Sequence, residues 1–375
     1  MAQTLLAFDT HPADAQLGFE LGWDHARHGL LLPPEQWLDG NPLQQGWRAG
    51  KACFGARTLG ASRRVRLWLA LRLHAWQRGR AFELADVTPH YLGQIEVAQC
   101  PITRRALVQA EASVDRVCDR AGYAAGNLAM MSMGANRAKA ALGWQDALQR
   151  AQQARAGASA EGGRIDGLDA AEWSRLAVLM SFVTPLPHEQ AARLPLHVLP
   201  PNRLRLLNPV QGLQALVTRE MARPDGTRRL RALAALLPGE VLRADFHRFL
   251  SALLPRRIEA GQGADARRLR HTLEDAWDDA RVKRCWQRFA LQLDEAATAR
   301  LLQRCAAGAL AGTRVLLHEP STATEGWALE RGGWAAPAGP ALRRVAAQAA
   351  ALPLPDRARI TASLTRTADG HLPAR

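Results

Sequence analysis

The stretch that decides the reading is Ser113-Val114-Asp115-Arg116-Val117-Cys118, followed by Gly122-Tyr123, Gly126-Asn127-Leu128 and Ala135-Asn136-Arg137-Ala138-Lys139. Apolar and polar residues alternate from Ser113 to Cys118, the period of a half-buried strand. Gly122 and Gly126 supply a turn, Leu128 to Met131 a return strand, and Gly134 to Leu142 a short helix. Pro101 and the polar run near Arg104 end what precedes. The expected unit is a β-hairpin followed by a helix, with Asp115 at the end of the first strand and Asn136 on the helix facing it.

One carboxylate and one carboxamide oxygen in that arrangement can hold a single Mg²⁺ or Mn²⁺ and leave most coordination positions for water and phosphate oxygens. Arg104, Arg105, Arg116, Arg120, Arg137 and Lys139 lie where they could grip flanking phosphates. Taken singly, each residue has a plainer role. Asp115 could pair with Arg116 or Arg120, Asn127 could be a turn residue, and Asn136 a helix-start cap.

Taken together with Thr88-Pro89-His90-Tyr91-Leu92 and Cys100-Pro101-Ile102-Thr103, the order T-P-x-Y-L, C-P-x-T, S-V-D-R, G-Y, G-N-L, A-N-x-x-K resembles the HNH, or His-Me finger, endonuclease module of phage and prophage proteins. The resemblance covers residues 88–142 of the 375. It implies a ββα-metal fold, Asp115 and Asn136 as metal ligands, and Asn127 as the brace of the loop between the strands. Two positions depart from the usual pattern. Arg116 stands where a histidine general base is expected, and a guanidinium takes no proton near neutral pH; His90 is the nearest preceding histidine that could serve. Many relatives also brace the module with two C-x-x-C pairs. Here Thr103, Ser132 and Ala135 leave Cys100 alone, so no structural zinc is expected.

Outward from this block the chain reads as helical. Ala61 to Arg78, capped by Ser62, places Val65, Trp68, Leu69, Leu73 and Trp76 on one face. Arg72 falls inside that apolar face and should find a carboxylate such as Glu83 or Glu96, or a phosphate. His25 and His28 could share a metal, but nothing nearby completes its coordination. Residues 154–171 are rich in Gly, Ala and Ser and read as an interdomain linker. Helical spacing returns over Ala170–Phe182, Leu230–Leu237, Leu242–Leu254, Ala266–Leu293 and Glu295–Leu310. The expected organisation is a helical region 1–87 packed on the module 88–142, the linker 154–171, a helical domain 172–335 and a poorly ordered tail 336–375. The fold class is mainly α-helical with one small ββα module, in two domains.

Composition narrows the function. With 47% hydrophobic residues the chain is globular; it lacks a long apolar span, and Met1 to Asp9 lacks the pattern of a signal peptide, so no membrane partner and a cytoplasmic location are expected. The five cysteines form no C-x-x-C pair and read as reduced thiols. Lys51, Lys139 and Lys283 are the only lysines among 49 basic residues, a bias that a GC-rich genome produces. That bias does not account for a net charge of +14, which suits a polyanionic partner, DNA foremost with RNA open. The leading expectation is a metal-dependent endonuclease hydrolysing DNA phosphodiesters through a metal-bound water. The alternative is a disarmed nucleic-acid-binding protein that keeps the finger as a docking element.

Overall fold

A computed structural model describes residues 12–157, 163–261, 265–308, 310, 318 and 320–336. Of the expected tail, 336–375, residues 337–375 lie outside them. The described chain is mainly helical and holds one two-stranded antiparallel sheet. Among the described residues, no helix is long and apolar enough to cross a membrane.

The chain divides into two compact units, residues 1–61 with 336–375, and residues 62–335. In the first, helix α1 (Pro12–Arg27) packs along α2 (Pro42–Phe54), which opens with Asn41 accepting from the Leu43 amide (3.0 Å) and Pro42 in the first turn. The helices meet backbone to backbone: a Cβ on Gly22 would fall 1.9 Å from the Leu43 carbonyl oxygen. His25 belongs to this packing, buried with Nδ1 on the Leu21 carbonyl oxygen.

The second unit begins at α3 (Arg63–Gln77), where the Ser62 hydroxyl accepts from the Val65 amide. Arg72 is buried there with its guanidinium stacked 4.3 Å from the Trp68 ring centroid. Glu96 pairs with Arg63 and Arg64, and Glu83 accepts from the Ala125 amide. The short α4 (Pro89–Gln94) is capped by Thr88. It leads through a knuckle at residues 100–105 to β1 (Ala112–Arg116), β2 (Leu128–Ser132) and α5 (Met133–Lys139).

Alternation along the hairpin sorts its side chains between two cores. Val114, Leu128 and Met130 join Leu71, Ala75, Tyr91 and Leu92 of α3 and α4. Ala129 and Met131 face the other way, into the large core built from α6 (Trp144–Ala156) and α7 (Ala170–Phe182) onward. Burying an apolar side chain of this size contributes about 1.5–3 kcal/mol. The hairpin is a shared wall of two cores, which a solitary two-stranded ribbon needs in order to be stable.

The segment 154–171 joins two helices of one core. Ala147, Ala151 and Ala154 of α6 and Trp173 of α7 are buried together with Leu168, and the Trp173 indole donates to the Ile165 carbonyl oxygen. The boundary between compact units falls at 61/62, ahead of α3. The remaining helices are α8 (His188–Arg193), α9 (Pro209–Met221), α10 (Gly226–Ala235), α11 (Glu240–Glu259), α12 (Ala266–Asp275), α13 (Ala280–Ala290) and α14 (Glu295–Ala307). An aromatic cluster of Phe246, Phe249, Trp277, Trp286 and Phe289 fixes α11 against α13.

Candidate functional site

In β1, Ser113 and Asp115 share the face opposite to Val114, and α5 crosses that face. Asn136 Nδ2 donates to Ser113 Oγ at 2.8 Å. One turn on, Lys139 Nζ lies 3.2 Å from Asp115 Oδ1 and 3.1 Å from Oδ2, and donates to the Arg116 carbonyl oxygen at 2.9 Å. Lys139 is 0% exposed and Asp115 7%. Such a pair stays charged only because each ion neutralises the other where water hardly reaches. Burial wins in part: it pushes the Asp115 carboxyl up to about 6 against the opposing pull of Lys139. Asp115 Oδ2, though close to the ammonium, receives no hydrogen bond.

Asp115 therefore pairs with neither Arg116 nor Arg120. Arg116 turns into the loop, donating to the carbonyl oxygens of Asp119 (3.1 Å) and Ala121 (2.9 Å) and to Asp119 Oδ1 (2.6 Å). Its guanidinium lies 5.2 Å from the Tyr123 ring centroid. Asn127, fully buried, closes the same loop: Oδ1 accepts from the Cys118 amide, and Nδ2 donates to the carbonyl oxygens of Cys118 and Gly122.

Distant chain completes the loop. The Tyr91 hydroxyl accepts from the Gly126 amide, the Arg205 amide donates to the Gly126 carbonyl oxygen, and the Trp327 indole donates to the Ala125 carbonyl oxygen. Gly126 sits at φ +85°, where any side chain would also strike the Arg205 stem.

Cys100, Thr103, Ser132 and Ala135 converge here as well. Cys100 Sγ accepts from the amides of Thr103 (3.5 Å) and Ser132 (3.3 Å) and donates to Ser132 Oγ, which in turn accepts from the Ala135 amide. Hydrogen bonds draw these four residues together. Among the described residues no three His, Cys, Asp or Glu side chains form a metal-holding group.

The other expected residues are dispersed. His90 is exposed on α4, with Nε2 against Gln94. Arg104 reaches Glu274 and Asp275 of α12. Lys139, expected to grip phosphate, is sealed inside. Arg105, Arg120 and Arg137 are exposed and form no ion pair among the described residues.

Sequence reasoning missed the Asp115–Lys139 pair, although a signal was present. Lys139 is one of three lysines among 49 basic residues, and its compact ammonium suits the enclosed place it occupies beside Asp115. The backbone clamps from Arg205 and Trp327 left no local signal. Comparison with protein families, with characterised proteins and with solved structures returns no match for this chain.

Proposed function

We propose that β1, β2 and α5 form a His-Me-finger-like element that docks the protein on nucleic acid, DNA foremost, without cutting it. The likeness is supported by the order of elements, by Asn127 as brace of the loop, and by the cluster of Cys100, Thr103, Ser132 and Ala135. The observation that carries the docking role is Lys139 lying against Asp115. A hard divalent ion takes roughly six oxygen ligands, several of them water. Both Asp115 oxygens instead face an ammonium in a place solvent barely reaches. A Mg²⁺ or Mn²⁺ ion does not fit this arrangement, and Arg116, engaged in the loop, offers no base. What the element presents outward is charge: Arg105, Arg120 and Arg137.

Fluorescence anisotropy with a short DNA duplex across a salt series tests the docking role. Wild type should bind, and an Arg105→Ser/Arg120→Ser/Arg137→Ser variant should bind more weakly with a salt slope lowered by about three. An unchanged slope would sink the assignment. The second reading, metal-dependent hydrolysis, is favoured by Asp115 Oδ2, a buried oxygen without a hydrogen bond. Plasmid cleavage in Mn²⁺ that stops with chelator and with Asp115→Ala would put that reading first.

A further inference from the structure

A cavity of about 870 Å³ lies in the second unit, between the chain at 94–104, the segment 199–206, helix α9 and the length of α12. Its volume falls within the roughly 300–1,000 Å³ of small-molecule sites. One wall is basic, carrying Arg104, Arg203, Arg219, Arg267, Arg270 and His271. Pro200, Pro201, Leu204 and Leu206 make an apolar wall.

Only two carboxylates line it, and both are already engaged. Glu274 is 1% exposed; its Oε1 accepts from Arg270 (2.8 Å) and from the Leu199 amide (3.0 Å), and its Oε2 from Arg104 (3.1 Å). Glu96 pairs with Arg63 and Arg64. Arg203 and Arg267 form no ion pair among the described residues, so positive charge is left in excess.

Three further observations point to a ligand. Arg104 Nε is buried without a hydrogen-bond partner. Arg104 and Arg203 both hold left-handed backbone, at φ +57° and +66°, a conformation uncommon for residues other than glycine and one that clusters at binding sites. The field is felt locally as well: His271 is pulled down by burial and by Arg104 and Arg270, and Arg219 by burial and by Arg270.

We infer that this cavity binds a nucleoside phosphate, with the phosphate against Arg203 and Arg267 and the base against the proline-leucine wall. Guanidinium forks match phosphate oxygens two at a time, and the apolar lining suits an aromatic ring. The same chemistry is offered by a free nucleotide and by the 5′-phosphorylated end of a strand. The inference rests on the nucleic-acid reading for its ligand class, but it uses different residues.

Isothermal titration of the full chain separates the possibilities. The probes are AMP, adenosine, inorganic phosphate, and a single-stranded octamer with and without a 5′-phosphate. AMP should bind while adenosine does not if the source is a free nucleotide; the 5′-phosphorylated octamer should bind at least tenfold tighter than its 5′-hydroxyl form if the source is a strand end. Arg203→Gly together with Arg267→Ser should weaken the bound probe at least tenfold. Arg203→Gly relieves a left-handed arginine, so the variant stays folded and its melting temperature does not fall. The inference is overturned if neither AMP nor the 5′-phosphorylated octamer binds, if inorganic phosphate binds as well as either, or if the double variant binds like wild type. Duplex binding governed by Arg105, Arg120 and Arg137 is read separately. Its loss with AMP binding intact would remove the docking role alone, and the reverse result would remove this inference alone.

Discussion

The Asp115–Lys139 pair and the arginine-lined cavity treat buried charge in opposite ways. At the hairpin, one anion and one cation are sealed together with their charges balanced, although Asp115 Oδ2 receives no hydrogen bond. In the cavity, two carboxylates are outnumbered by arginines, and a donor of Arg104 is left over. The motif-bearing site is closed, and the site without a motif is the one left incomplete. A recognisable pattern of residues marks what holds a fold together as readily as what meets a ligand.

The sharpest way to break the comparison is Lys139→Met. It leaves Asp115 buried without a counterion and should cost about 3–5 kcal/mol in denaturant unfolding, softened as Asp115 takes up a proton. Adding Asp115→Leu to Lys139→Met should restore most of that loss, because a matched apolar pair carries no desolvation cost. If the single variant unfolds like wild type, the pair is not sealed.

Asn127→Ala removes three hydrogen bonds from a fully buried loop and strands the Cys118 amide. A cost of about 2–4 kcal/mol is expected in the same measurement, while duplex affinity per folded molecule changes little.

Acidity supplies a third measurement. Asp115 rises from 3.8 to about 6 on folding, so between these values the native state holds more protons than the unfolded chain. Its contribution is fully present below about pH 4 and is lost as pH climbs through 6, amounting to about 2–3 kcal/mol. Asp115→Asn should flatten this part of the stability-against-pH curve. A wild-type curve that rises across the window, with the variant's parallel to it, would contradict the raised value.

The smallest effect belongs to the cavity. Arg203→Gly should raise stability by about 1 kcal/mol, since glycine tolerates the φ of +66° that arginine does not. A fall in melting temperature would mean that the arginine side chain holds the fold.

Much of the local structure was legible. The spacing predicted Ser113 to Cys118 and Leu128 to Met131 as strands and the structure has Ala112–Arg116 and Leu128–Ser132; the cap at Ser62 located α3, and Ala170–Phe182 is α7 as read. Each depends on neighbours a few residues apart. What failed was non-local or ambiguous in composition. The stretch 154–171 looks like linker, yet Ala154 is buried with Ala147 and Ala151 of α6 and Trp173 of α7 in one core. Lys139 was grouped with surface arginines because its charge was visible and its burial was not. Nothing near Gly126 announced that Arg205 and Trp327 would close over its loop.

That closure sets a clock on synthesis. Asn127 leaves the ribosome before the partners of its loop exist, since Trp327 bonds to Ala125 and Gly122, and Gly333 accepts from the Ala81 amide. At about 5–20 residues per second, the stretch from the loop to Trp327 takes roughly ten to forty seconds to emerge. The loop spends that interval without its last backbone partners, and the nascent chain acquires the finished hairpin only once Trp327 has emerged.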